Sequence, residues 1–475
     1  MQVNYYGLSI RISYTYYNKN KWRIEYCMHL KGLENIKKIY LIGIGGVSMS
    51  ALAKYLSACG YVVSGSDAVK SAATENLAFY GVKTFIGNDG NRAELLDADC
   101  VVYTDAISQE DQEFLRAKAL NKLLYGRADL LGIICQNFQH VVTVAGSHGK
   151  TTCTSICAHI LKSASVPFMA HIGGEDSAFG NYFHSGEEYL VTEACEYKKN
   201  LLKLKSEVAI LLNVDKDHME CYKNEEDLFD CFHTYCQSAK TAFVCADDVG
   251  CGKWDFASFG IHSSLADYRA TQIRTLGERY SFTVEEYGKA LCRIKLRAIG
   301  YCNIYNSLAA FAAMRSLGFD EKEIVKGIES FTAVKRRFEK IGEYRGVSFI
   351  CDYAHHPKEL LSTLRTAKNI SRRKLYVVFQ PHTYSRTKLL MADFIAVLRS
   401  VPNLMLYKTY PAREVYDELG SAETLARMLG NCLYAENAHV LKTWLRQTVR
   451  DGDVVLFLGA GDIYYVAQYI LEELL

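Results

Sequence analysis

VVTVAGSHGKTT (residues 141–152) decides the fold. The apolar VVTV reads as a buried strand and TCTSICAHILKSA, which overlaps its end, reads as a helix. Between them lie two glycines, a lysine and two hydroxyl residues, the strand–loop–helix setting in which such a motif binds phosphate. Gly146 and Gly149 let backbone N–H groups turn toward an anion, Lys150 sets a point charge against the β and γ oxygens, and Thr151 offers a hydroxyl to Mg²⁺. The general pattern G-x-x-x-x-G-K-[ST] wants its first glycine at position 144, which is valine, so this loop is a shorter variant. An ordinary glycine turn is the bland alternative, and the flanking strand and helix argue against it.

Outward from this loop the strand and helix patterns alternate, which calls for parallel sheets. Upstream, KIYLIGIGG (38–46), SMSALAKYLSACG (48–60) and YVVSGSD (61–67) form a βαβ unit. GIGGVS (43–48) followed by Asp67 matches a dinucleotide fingerprint, except that Ser48 stands where the third glycine belongs. The helix N-terminus behind Gly43, Gly45 and Gly46 can bind a diphosphate and Asp67 can bond a ribose or base, which serves NAD or a UDP-sugar equally well. Further strands are expected at CVVYT (100–104), EYLVTEA (188–194) and VAILLN (208–213), with a boundary near Gln136. After Arg336 and Arg337 the alternation restarts with GVSFICDYA (346–354), KLYVVFQ (374–380), NLMLYK (403–408) and DVVLFLGAGD (453–462). The expected plan is an α/β chain of three domains, 28–136, 137–334 and 335–475.

At 475 residues the chain exceeds what one core needs, and 49% hydrophobic with 23% charged residues is a globular composition. A formal net charge of +2 provides no field for nucleic acid or an anionic membrane. No run approaches the roughly 20 apolar residues of a membrane span, and no signal-peptide core opens the chain, so no membrane insertion and a cytoplasmic location are expected. The 16 cysteines include no C-x-x-C pair and read as free buried thiols; Cys153 and Cys157, at i, i+4, lack partner ligands for a metal. Residues 1–27, tyrosine-rich and basic, look like an appended extension without order of its own, with Met28 as the expected start.

Glu193 and His218 stand where strands exit toward loops, the place where α/β sheets carry their chemistry. Cys195 beside Glu193 has no base pattern and reads as packing. In the last domain RRF (336–338), DYAHHP (352–357) and QPHTYSRT (380–387) gather Arg337, Asp352, His355, His356, His382 and Arg386 into loops beside strands, a face suited to anions and amino acids.

The form G-[ST]-[HN]-G-K-[ST]-T, met at every position by 146–152, is the signature of the Mur ligases, and the chain resembles that family from about Leu33 to Asp462. GIGGVSMS, SGSD and DYAHHP look most like its alanine-adding branch. The resemblance implies a Rossmann-like UDP-binding domain, a central P-loop ATPase-like domain with a parallel sheet, and a C-terminal Rossmann-like domain that binds the amino acid and closes on ATP. It implies an ATP-dependent ligase that activates the lactyl carboxylate of UDP-N-acetylmuramate as an acyl phosphate, which the amine of L-alanine attacks, in peptidoglycan precursor synthesis. ATP would be held by Gly146, Ser147, His148, Gly149, Lys150, Thr151, Thr152, Asn303, Asn306, Arg337 and Asp352. The UDP-sugar would lie on Gly43, Gly45, Gly46, Ser66, Asp67 and Arg127, and the amino acid on Tyr353, His355, His382 and Arg386. Mg²⁺ would be bound by Thr151, Glu193 and His218, and Lys150, His218, His355 and Arg386 would carry catalysis in a monomer or weak homodimer. Cys302 stands where the family usually has a histidine before the first asparagine of NIYNSLAA (303–310). Three alternatives remain at this level: a NAD-dependent oxidoreductase, a P-loop ATPase acting on another protein, and a sibling ligase that adds a peptide or another amino acid.

Overall fold

The computed structural model describes residues 2–5, 8–17, 21–28, 30–276, 279–412 and 414–474, the first three of these stretches as backbone only. That amino-terminal stretch contains three antiparallel strands, Gln2–Tyr5, Leu8–Tyr17 and Lys21–Met28. The chain divides into two compact units. One comprises Met1–Ala270, Val284–Cys292 and Tyr305–Ser330; the other comprises Thr271–Thr283, Arg293–Ile304 and Phe331–Leu475.

Within the first unit, Lys38–Ile42 is the centre of a five-stranded parallel sheet. On one side lie Val62–Asp67 and then Lys83–Ile86; on the other lie Cys100–Tyr103 and then Leu123–Gly126. The chain reverses its winding between Lys38–Ile42 and Cys100–Tyr103, so the crevice at the carboxyl ends of these strands is where such a sheet receives ligands. Its glycine turn occupies that crevice.

A second sheet of the same unit is built around His140–Ala145, flanked in parallel by Tyr189–Glu193 and Val208–Leu211. Thr143 faces Thr192 and Ala209, and Ala145 faces Leu211, so all three strands leave the sheet at one level. Beyond Tyr189–Glu193 lie Phe168–Asp176 and its antiparallel partner Gly180–His184. On the other flank, Thr241–Cys245 and Ala257–Gly260 continue in parallel. Period-2 alternation is absent from VVTV and VAIL because both faces of these strands are covered by helices.

The two sheets share a continuous apolar core. Leu130, Leu131 and Ile134 of the helix Arg127–Cys135 pack in the same cluster as Leu201 and Leu204. A Cβ at Gly132 would lie 2.5 Å from the Lys203 carbonyl oxygen, so this approach requires glycine.

In the second unit, a six-stranded sheet runs Glu339–Tyr344, Val347–Asp352, Val454–Leu458, Leu375–Phe379, Leu404–Tyr407 and Leu433–Ala435. The first pair is antiparallel and the others parallel. The α/β class expected from sequence is observed. The described cysteines are free thiols, most of them buried, and burial pushes Cys59, Cys100 and Cys135 up to about 12. Among the described residues no helix is long and apolar enough to cross a membrane.

Candidate active site

The phosphate loop starts at the end of His140–Ala145 and feeds the helix Lys150–Ser163. Gly146 at φ +134° and Gly149 at φ +86° take backbone conformations that side chains resist. A Cβ on Gly149 would lie 2.7 Å from Asn306 Oδ1 and 3.1 Å from Leu212 Cδ1. The side chains of Ser147 and His148 lace the loop to the next strand exit. Asp215 N–H donates to Ser147 Oγ at 2.8 Å, Asn213 Oδ1 accepts from His148 N–H at 2.8 Å, and the His148 ring meets Asp215 Oδ2 at 2.9 Å. Thr151 and Thr152 are buried in the first helical turn.

Lys150 donates to the Gly146 carbonyl at 2.5 Å, to the Ser147 carbonyl at 3.3 Å and to Glu196 Oε1 at 3.0 Å. Burial works to lower its pKa, but the charge and hydrogen bond of Glu196 outweigh it, and the ammonium is held above the ordinary lysine value. Glu196 is 2% exposed and its second oxygen, Oε2, has no hydrogen-bond partner. The expected site residues include Glu193 but not Glu196, three positions on, and Glu196 is the one that meets the lysine.

His218, one of the three expected magnesium ligands, lies beside Glu196 and Asp217. Ligand atoms of Glu196, Asp217 and His218 lie within 4.8 Å of one another. His218, at φ +54°, is held by a bond from its N–H to Asp217 Oδ1 at 2.9 Å and by an edge contact with Tyr197. Glu193 accepts from Gly173 N–H at 2.6 Å. Two carboxylates and an imidazole form a set that suits a divalent cation, and the unpartnered Oε2 of Glu196 supplies a buried lone pair within it.

At the amino-terminal turn, Gly43 takes φ +80°, and the N–H groups of Gly43 and Ile44 donate to the Ser66 carbonyl at 2.8 and 2.9 Å. Asp67 Oδ2 accepts from Gly45 N–H at 2.8 Å, and a Cβ on Gly45 would sit 2.9 Å from that oxygen. Gly46 caps the helix Val47–Ala58. Ser66 is buried and donates inward to Glu113, which also accepts from Tyr40 at 2.8 Å and Arg92 at 3.3 Å. Ser66 therefore braces the turn from beneath. Arg127 opens its helix beside the turn and donates to Ser48 Oγ at 3.3 Å. Ser48 also bonds His171 Nε2 at 2.9 Å. Burial, aided by the Arg127 charge, pushes His171 down to about 4.

In the second unit Arg336 and Arg337 lie over the ring of Tyr353, at 4.7 and 4.8 Å. Asp352 accepts from Phe338 N–H at 2.8 Å, Ala354 N–H at 3.0 Å and Thr363 Oγ1 at 3.0 Å; burial raises its pKa against the pull of Arg337. His355 packs against His382 at 5.7 Å between centroids, and His382 stacks on Tyr410. Arg386 donates to His382 Nδ1 at 3.2 Å, and burial together with the neighbouring His355 and Arg386 charges drives His382 down to about 4. His356 caps the helix Pro357–Ile370, a structural task. Asn303 belongs to this unit and donates to the Ile299 carbonyl at 2.8 Å, while Asn306 belongs to the first. Tyr410 was not singled out by sequence and carries no motif signal.

Comparison with known proteins gives matches along the chain. The Mur ligase family catalytic domain matches residues 38–139, the Mur ligase middle domain 144–314, and the Mur ligase glutamate ligase domain 336–461. A UDP-N-acetylmuramate–L-alanine ligase of Caldicellulosiruptor saccharolyticus is 35% identical, with 92% of this chain and 99% of that protein covered. The corresponding ligase of Caldanaerobacter subterraneus is 38% identical, over 93% and 98%. The crystal structure of the UDP-N-acetylmuramate-alanine ligase of Thermotoga maritima superposes with a TM-score of 0.80 at 27% identity, covering 92% of this chain and 98% of that one.

Proposed function

Because this chain belongs to the Mur ligase family, we propose that it joins L-alanine to the lactyl carboxylate of UDP-N-acetylmuramate with ATP, in the cytoplasm. The observation that carries this reading is identity of 35 to 38% to ligases of that name, extending over more than nine-tenths of the chain. The loop with Gly146, Gly149 and Lys150 supports a triphosphate site, and the Gly43 turn at a winding reversal supports a nucleotide-linked sugar.

The sugar's carboxylate oxygen attacks the γ-phosphorus and ADP leaves. The resulting acyl phosphate is attacked by the alanine amine, and phosphate departs as the amide forms. A carboxylate is already anionic, so the first step needs charge neutralisation and alignment more than a base. Lys150, kept protonated by Glu196, supplies a fixed positive charge where negative charge gathers on the transferring phosphoryl group. Glu196, Asp217 and His218 would hold the magnesium ion, whose chemistry is to neutralise the phosphate oxygens. Tyr353, His355, His382 and Arg386 are assigned to the amino acid in the second unit.

Phosphate release with UDP-N-acetylmuramate, ATP and a panel of amino acids, each omitted in turn, tests the reading. Release is expected only with all three and best with L-alanine. Turnover that ignores the UDP-sugar would mark a P-loop ATPase of another kind.

A further inference from the structure

Ser48 departs from the glycine of a dinucleotide fingerprint, and its side chain leads to a residue that no motif contains. Its hydroxyl lies 2.9 Å from His171 Nε2 and accepts from Arg127 Nη1 at 3.3 Å. On the far side of the ring, His171 Nδ1 meets Thr192 Oγ1 at 2.8 Å, and the Thr192 hydroxyl reaches the Glu193 carbonyl at 3.3 Å. With a neutral ring carrying its proton on Nδ1, every member donates once along one direction. Arg127 donates to Ser48, Ser48 to His171, His171 to Thr192, and Thr192 to the backbone at Glu193.

We infer that His171 is a positioning residue for the UDP-sugar: through Ser48 it fixes the Arg127 guanidinium and the amino-terminal turn of the helix Val47–Ala58 against the central sheet. This inference rests on the ligase reading above. His171 is 2% exposed and is held in register by its pairing with Tyr182 and Thr192, so its ring is a rigid anchor. Neighbouring bonds join the same helix to the same strand pair. Asn181 Nδ2 donates to the Val47 carbonyl at 2.7 Å and to Ser50 Oγ at 2.9 Å, and Lys54 donates to Asn181 Oδ1 at 2.7 Å. The helix whose first turn receives the diphosphate is thus oriented by side chains of the domain that holds ATP. A glycine at position 48 would leave Arg127 without this tether, free to sample rotamers that the bound anion must then select.

Steady-state kinetics of His171→Leu, His171→Gln, Ser48→Ala and the Ser48→Ala/His171→Leu pair test this. His171→Leu and Ser48→Ala are each expected to raise KM for UDP-N-acetylmuramate about tenfold, with kcat and KM for ATP within about twofold. The double variant is expected to match either single one, because both cut the same link. His171→Gln keeps an acceptor for Ser48 and is expected to restore most of the lost affinity. Equal losses in kcat and in both KM values, additive effects in the double variant, or an unchanged KM for the UDP-sugar would each overturn the inference. Should His171→Leu fail to fold, the Ser48→Ala and His171→Gln results decide by the same criteria. Wild-type turnover is scored first: its absence sinks the ligase reading and the inference together, whereas intact wild-type turnover with an unshifted KM sinks the inference alone.

Discussion

Replacing Lys150 by alanine should separate two roles that the structure gives to a single ammonium group. In the wild type this group offsets the Glu196 carboxylate at 3.0 Å, with side chains 16% and 3% exposed. Truncation strands that carboxylate, whose other oxygen already lacks a partner. Removing one partner of a buried ion pair costs about 3–5 kcal/mol, and the partial exposure of Lys150 favours the lower end. Catalysis loses a charge that matters most as the phosphoryl group transfers, on the order of 3 kcal/mol or about 150-fold in kcat. The diagnostic variant is Lys150→Ala/Glu196→Gln. A neutral amide removes the stranded charge, so the unfolding midpoint of the first unit should recover most of its loss while turnover stays low. Urea denaturation and coupled phosphate release measure the two quantities on the same preparations. Turnover of Lys150→Ala within about tenfold of wild type would refute the assignment of Lys150, and a double variant no more stable than Lys150→Ala would refute the reasoning about Glu196.

Other expectations follow from single sites. Gly149→Ala places a side chain at φ +86° and 2.7 Å from Asn306 Oδ1, so KM for ATP should rise at least tenfold, from strain of about 1–2 kcal/mol plus the clash. Asp453, 1% exposed, accepts from the Lys374 and Arg450 N–H groups at 3.1 and 2.7 Å; Asp453→Ala should destabilise the second unit by about 2 kcal/mol, read as a lower denaturation midpoint. His171 and His382 have folded pKa values of about 4, below the unfolded value of 6.5, so the folded state binds fewer protons than the unfolded chain between them. Stability is therefore complete above about pH 6.5 and falls as the pH drops toward 4, by on the order of 1.4 kcal/mol per unit for each histidine. His382→Gln should flatten that slope in a pH series of urea midpoints; an unchanged slope would remove His382 from the account.

The α/β class and the two glycine turns were legible because each is specified locally: strand, loop and helix follow one another within a dozen residues, and positive φ at Gly146 and Gly149 is what a phosphate cradle demands. The place of Lys150 at the start of its helix was equally plain, since the motif sets it there. What escaped depends on partners distant in sequence. The bond of the Ser66 hydroxyl to Glu113, 47 residues on, has no trace in the local sequence. Glu193 and Glu196 are three residues apart in one segment, and only the strand exit and the turn after it decide which faces Lys150. No periodicity links Ser48 to His171, 123 positions later, so the serine read as a defect in a fingerprint.

The buried cysteines among the described residues, all free thiols, are chemically quiet. A thiol whose pKa stands near 12 is ionised at neutral pH only to about one part in 100,000, and the thiolate is the form that alkylating agents and peroxides attack. Cys59, Cys100 and Cys135 should ignore oxidants in the folded chain and meet them once it unfolds, so reagent uptake at these three positions becomes a clock for its opening.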